Sequence, residues 1–318
     1  MKSISYILLF LLPIIGIGQE TTAAKKSANN FKNYYNENKT QALYDSMDTI
    51  MRSHLPVPKI EEFFGALKGQ FGAITNQEFI KNIDNNFYYK TTFEKGVLTL
   101  LLAVDDNNKI YGFTLQQYIP DNLPKLERNV TPMKLPFNEE WTVVWGGLTE
   151  EQNYHVAYNN QKYAYDILMM KDNKSYSGDA KVLENYYVFG KEVVAPCKAT
   201  VVEIINGVKD NIPGEMNPAE LTGNTVILKT DQEEFILLAH LKENSIVVEE
   251  GQQVNVGDLI GQCGNSGNST EPHLHLSLQN VQDMNSATGA KLYFDKIIVN
   301  GEEKTEYIPV KNDFIKNN

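Results

Sequence analysis

The sequence predicts two folding units of different class, a small α+β domain over residues 21–128 and a mostly antiparallel β domain over residues 141–318. Three observations carry this. Apolar residues recur at helical spacing in the first part of the chain. Prolines crowd a short stretch near its middle. Short apolar runs between Gly, Asn and Asp turns then dominate almost to the end.

In the first unit Phe31, Tyr34, Tyr35, Ala42, Leu43, Met47, Ile50 and Met51 follow a helical period, and Ile60 to Leu67 repeats the pattern briefly. After Gly69 and Gly72 the texture changes to strands at Phe87–Tyr89, Val97–Val104 and Ile110–Tyr118. Asp105-Asp106-Asn107-Asn108 is a turn signal between the last two. His54 stands alone here, and no cluster of His, Cys or carboxylates supports chemistry. Pro120, Pro124, Pro132 and Pro136 mark a linker, placed at 129–140. Beyond it, strands are expected at Trp141–Trp145, Tyr163–Met169, Tyr187–Phe189, Thr200–Ile205, Thr225–Lys229, Glu234–His240, Leu259–Cys263 and Leu274–Gln279. The polar stretch 206–223 reads as a surface loop.

Composition bounds the function. With 42% hydrophobic and 22% charged residues the chain is an ordinary globular one, neither disordered nor collagen-like. Residues 1–128 carry 14 Lys+Arg against 13 Asp+Glu, and residues 129–318 carry 15 against 27, so the net charge of −11 belongs to the second part. Such a surface repels nucleic acid and anionic lipid and tolerates neutral or amine-bearing substrates. Lys2, the apolar run Ile7–Ile17 and small residues Gly16 and Gly18 before Gln19-Glu20 describe a secretory signal peptide over residues 1–19. The mature protein is then exported, periplasmic or extracellular, without stable membrane insertion; the alternative is an uncleaved anchor. Cys197 and Cys263 are read either as a disulfide of an oxidising compartment or as two buried inert thiols.

Four of the five histidines fall in the β domain. His273 and His275, two apart on a strand, project to one face. His240 ends another strand. Asp166 lies inside the aromatic-apolar run Tyr163–Leu168, where a carboxylate is costly to bury unless it pairs or binds a metal. Imidazole and carboxylate suit zinc, one ion per chain, with one coordination position left for water. Val247–Gly267, with five glycines, gives tight turns near such a site. It also suits a biotin- or lipoyl-carrying hairpin, but no lysine lies between Lys242 and Lys291 to be modified.

The stretch Ala239–Leu276 (AHLKENSIVVEEGQQVNVGDLIGQCGNSGNSTEPHLHL) closely resembles the M23 (LytM/lysostaphin-type) zinc metallopeptidases, and Gly190–Val202 (GKEVVAPCKATVV) resembles that family's opening hairpin. The resemblance covers roughly residues 141–280 and implies an M23/LytM-like domain of barrel-sandwich type. It implies His275 and Asp166 as zinc ligands and His240 and His273 as catalytic. The family's first ligand histidine stands four residues before the aspartate, where this chain has Lys162; His155 is the candidate that replaces it, across the turn-like Asn159-Asn160-Gln161. The implied activity is a zinc metalloendopeptidase acting on peptide cross-links or stems of bacterial peptidoglycan. The alternative is a degenerate domain that binds cell wall or activates another hydrolase. The helix-then-hairpin unit, with FGALKGQFG at Phe64–Gly72, resembles the small accessory domains of unknown function found ahead of secreted hydrolase domains. Its protein partner is left open.

Overall fold

The computed structural model describes residues 18–105 and 107–318, and these divide into two compact units, the first ending at Tyr118 and the second beginning at Ile119. The expected signal peptide lies, but for Gly18 and Gln19, outside the described residues. Among the described residues no helix is long and apolar enough to cross a membrane.

The first unit begins with four helices, α1 (Thr22–Asn36), α2 (Thr40–Ser46), α3 (Thr49–His54) and α4 (Val57–Phe71). Four strands follow, β1 (Ile74–Ile83), β2 (Asn86–Phe93), β3 (Gly96–Val104) and β4 (Ile110–Gln117), in an antiparallel sheet of order β1-β2-β3-β4. Ala24, Ala28, Phe31 and Tyr35 make one buried stripe of α1, because residues three and four apart share a helix face. Phe31 and Tyr35 meet Phe64 of α4 edge-on at 6.1 and 5.1 Å. The single helical pattern read from Phe31 to Leu55 is broken in the fold. Asn38 takes a left-handed φ of 56° after α1, and the Asp48 carboxylate caps α3 by accepting from Met51 N at 2.7 Å. Polar residues at those two points favour caps and turns over helix continuation.

The second unit is built from β5 (Trp141–Trp145), β6 (Tyr165–Leu168), β7 (Glu192–Val194), β8 (Ala199–Ile205), β9 (Asn224–Lys229), β10 (Phe235–Leu241) and β11 (Gln253–Val254). The chain then adds β12 (Leu259–Gln262), β13 (Leu274–Gln279), β14 (Gly289–Ala290), β15 (Phe294–Val299), β16 (Glu302–Tyr307) and β17 (Phe314–Asn317). One sheet runs in the order β11-β8-β9-β10-β13-β6-β5-β17-β15-β16 with β14 on β13, and β12 pairs separately with β7. The path stays open and does not close into a barrel. Tyr187–Phe189, expected as a strand, is none; β15 to β17 form although only general strand character was expected there. Asn300-Gly301 turns β15 into β16 with φ values of 52° and 85°, the doubly positive pair that short hairpins favour.

The central strands β6, β9, β10 and β13 are buried on both faces. Alternation sorts their residues. Ile236 and Leu238 pair with Leu278 and Leu276 and face the main core, with Trp141, Tyr165 and Phe294. The intervening residues face the other way, and there Ala239, His275 and Asp166 lie side by side.

The stretch expected as a linker, 129–140, is packed into this unit instead. Met133, Leu135 and Phe137 are fully buried, Phe137 stacks on Trp141 at 4.3 Å, and Asn129 Nδ2 donates to the Tyr293 carbonyl at 3.0 Å. The prolines conceal a period-two apolar pattern, Met133-x-Leu135-x-Phe137, which is that of a chain lying along a core. Phe137→Ala is therefore expected to destabilise the protein by about 3–5 kcal/mol. Val130→Ala, at an exposed neighbour, should stay within about 0.5 kcal/mol. Urea unfolding of the two variants checks this, since a mere linker would make both substitutions neutral.

Candidate metal centre

Three adjacent strands set the frame. Ala239 of β10 pairs with His275 of β13, and His275 pairs with Asp166 of β6. Opposed residues of antiparallel strands present their side chains on one face, so the imidazole of His275 and the Asp166 carboxylate converge, with Nδ1 and Oδ1 2.9 Å apart. His273, two residues before His275, shares that face, with Nε2 3.5 Å from Asp166 Oδ1.

His240 follows Ala239 and in a regular strand would face the opposite side. A register shift between Leu238 and Leu241 and a left-handed φ of 58° at His240 turn its ring into the group, 4.8 Å from the His273 ring and 5.8 Å from His275. A non-glycine residue in that region carries about 1 kcal/mol or more of backbone strain, sustained where the surroundings over-determine it. Here they do. His240 N donates to Thr222 O at 2.9 Å and its Nδ1 lies 2.8 Å from Ser266 O. The Ser266–Gly267 backbone presses so closely on Gly223 that a Cβ on Gly267 would sit 2.3 Å from Gly223 N.

His155 reaches the same place from a 3-10 turn, Tyr154–Ala157. Asn153 folds this segment: its Nδ2 donates to Ala164 O at 2.8 Å, and its Oδ1 lies 2.8 Å from His155 Nδ1. That clamp joins the two ends of the 153–164 excursion, so the ten residues between His155 and Asp166 do not separate them. His155 Nε2 lies 3.5 Å from Asp166 Oδ2, and the His155 and His275 rings are 5.0 Å apart. Lys162 is turned instead over the ring of Tyr163.

The hydrogen bonds assign the imidazole tautomers. Ser266 O, Glu271 O (2.8 Å from His273 Nδ1) and Asn153 Oδ1 can only accept, so Nδ1 of His240, His273 and His155 carries the proton. The Nε2 of His240 and of His155 then keeps its lone pair, while that of His273 lies against Asp166 Oδ1. The Nε2 of His155 is buried and has no hydrogen-bond partner, an arrangement that costs about 1–3 kcal/mol unless something occupies the lone pair.

Burial pushes His155 down to about 4, against the opposing pull of Asp166, so its ring is neutral at neutral pH. Burial and the neighbouring His273 and His275 likewise hold His240 well below the ordinary histidine value. For His273 burial acts downward but is outweighed by the Asp166 carboxylate, and the net shift is upward. Burial alone would raise Asp166, yet His273, His275 and His155 together hold its carboxyl well below the usual range. A neutral imidazole and an ionised carboxylate are the forms that bind metals.

His155, Asp166 and His275 offer ligand atoms that all lie within 4.8 Å of one another. Two imidazoles and a carboxylate form a donor set suited to zinc, in which ligand atoms about 2.0–2.2 Å from the ion leave a fourth position open. The residues fit such an ion, and the buried His155 Nε2 without a hydrogen-bond partner is the observation that supports the fit. The group opens into a cleft of about 300 Å³, whose walls include Trp145, Tyr154, Leu221, Ser269 and Glu271. Asn153, Tyr154, whose hydroxyl donates to Asp166 Oδ2 at 3.4 Å, and Glu271 were not foreseen from sequence. Nothing in their spacing marks them, because each acts through a loop. Cys197 and Cys263 are free and buried, so the alternative of two inert thiols holds over the disulfide.

Residues 185–291 match the model of peptidase family M23, and residues 28–113 match a protein family of unknown function, DUF3887. The M23 match includes His240, His273 and His275 and begins beyond His155 and Asp166. Among solved structures, the catalytic domain of the antimicrobial peptidase lysostaphin from Staphylococcus simulans is 23% identical, over 40% of this chain and 74% of its own, with a TM-score of 0.27. A zinc-containing peptidase from Vibrio cholerae is 15% identical over 64% of this chain and 48% of its own, with a TM-score of 0.27. The SpoIIQ–SpoIIIAH pore-forming complex contains a chain 18% identical over 51% of this chain and 89% of its own, with a TM-score of 0.32. The chain thus spans less than half the length of the Vibrio cholerae peptidase. Identities and scores this low assign no activity.

Proposed function

We propose that the chain, whose residues 185–291 match peptidase family M23, is an exported zinc metalloendopeptidase that hydrolyses peptide cross-links or stems of bacterial peptidoglycan. The observation that carries this reading is the buried His155 Nε2, partnerless and 3.5 Å from Asp166. It favours the active reading over the non-catalytic alternative, whose main support was Lys162 in the place of the first ligand histidine.

His155, Asp166 and His275 would hold the ion. Zinc, when bound, polarises a carbonyl as a Lewis acid and makes hydroxide available near neutral pH. The remaining work falls to the protein. His240 and His273 are anchored through Nδ1–H on the Ser266 and Glu271 carbonyls. His240, committed through Nδ1–H, keeps the lone pair of its Nε2, whereas His273 Nε2 lies 3.5 Å from Asp166 Oδ1. One accepts the proton of the attacking water; the other donates to the departing amine or to the oxyanion of the tetrahedral intermediate. They are not equivalent, because His273 lies against Asp166 and His240 does not.

Purified protein saturated with zinc and then desalted is expected to retain about one ion per chain and to release soluble peptides from peptidoglycan, with chelation abolishing release. Less than about 0.3 zinc per chain would sink the reading, since three preorganised ligands require a tight site.

A further inference from the structure

The cleft holds a carboxylate that the chemistry above does not use. Glu271 stands two residues before His273 and lines the same cleft. Its backbone carbonyl anchors His273 at 2.8 Å, which fixes its own position relative to that imidazole. Its side chain is half-buried, and Oε2 accepts a hydrogen bond from Ser175 Oγ at 2.9 Å, so Oε1 is left for another donor. Asp166, the other carboxylate lining the cleft, is surrounded by three imidazoles at 2.9–3.5 Å. Among the described residues no Lys or Arg lines the cleft to neutralise Glu271. The whole of residues 129–318 adds a field of the same sign, with 27 acidic against 15 basic residues.

A half-desolvated carboxylate with an unused oxygen is complementary to an ammonium, through a charge-assisted hydrogen bond. It also penalises a substrate that places a carboxylate there. From this geometry we propose that Glu271 is a specificity residue, and that the favoured substrates carry a free amine close to the scissile bond. This rests on the peptidase reading of the cleft and adds its substrate class. Ser175 acts as a positioning residue that holds the carboxylate toward the cleft.

The test uses the full zinc-loaded chain and peptidoglycan sacculi whose free amines are either intact or blocked with acetic anhydride. Wild-type protein is expected to release soluble peptide from intact sacculi about fivefold faster than from blocked ones, the size of a partly screened charge pair. Glu271→Gln, with zinc content and circular dichroism equal to wild type, is expected to lose that ratio by slowing on intact sacculi alone. Co-sedimentation with the two kinds of sacculi at low salt reads the same preference without requiring cleavage. Equal treatment of both sacculi by wild type, or an unchanged ratio in Glu271→Gln, overturns the amine proposal and leaves the peptidase reading standing. Absence of release from either kind overturns the peptidase reading; co-sedimentation then decides for or against Glu271 on the same comparison.

Discussion

Zinc binding and peptide release are both expected to vanish in His275→Ala. His275 is central in the three-strand frame: it pairs with Ala239 on one side and Asp166 on the other, and its Nδ1 is 2.9 Å from Asp166 Oδ1. Its removal takes away one of three prospective ligands and also one of the hydrogen-bond partners that hold the Asp166 carboxyl low. Loss of a ligand should weaken zinc by at least about a hundredfold, beyond the 10–100-fold typical of losing a ligand's supporting partner. The main core lies on the opposite face of β13, with Leu274, Leu276 and Leu278, so the variant should still fold. Zinc content by mass spectrometry, with circular dichroism as the folding control, measures both. A variant that folds, binds zinc normally and still releases peptide would show that the metal centre lies elsewhere.

The second large effect separates chemistry from coordination. His240→Ala is expected to lower kcat by about 10²–10⁴-fold, the usual contribution of a positioned acid or base, while zinc content stays near wild type. His240 is not among the three residues whose ligand atoms cluster, and its Nδ1 is committed to Ser266 O. The same substitution removes a left-handed non-glycine imidazole but leaves a strained Ala, so little stability is regained. His273→Ala should behave likewise in rate. Parallel zinc analysis and steady-state kinetics make the distinction: loss of metal in His240→Ala would move that residue from the chemistry to the coordination sphere.

How much of this was legible in the sequence depends on the kind of signal. His273 and His275 share a face because strand periodicity is local, and Asp166 was conspicuous as a carboxylate among Tyr165, Ile167 and Leu168. The register that places Asp166 opposite His275 joins residues 109 apart in sequence, and it was reachable only through the resemblance. His240 shows the limit of periodicity. The simple alternation rule would place it away from the cleft, and only the bulge with its φ of 58° brings it round. His155 depends on Asn153, a side chain that ties residues 147, 155 and 164 together; no spacing rule encodes such a clamp. Over 129–140 the cause is the opposite. Four prolines carry the composition of a linker, whereas the alternation of Met133, Leu135 and Phe137, all buried, is the stronger physical signal. The C-terminal hairpin at Asn300-Gly301 is carried by its turn residues, both at positive φ.

His155 is expected to complete the zinc site although Lys162 stands in the place of the first ligand histidine. A crystal structure of the zinc-loaded protein, with anomalous scattering collected at the zinc edge, tests it most directly. One zinc peak is expected, with His155 Nε2, an Asp166 carboxylate oxygen and a His275 nitrogen within about 2.2 Å and one position open. A peak lacking His155 among its ligands, or no peak between these three side chains, would contradict it.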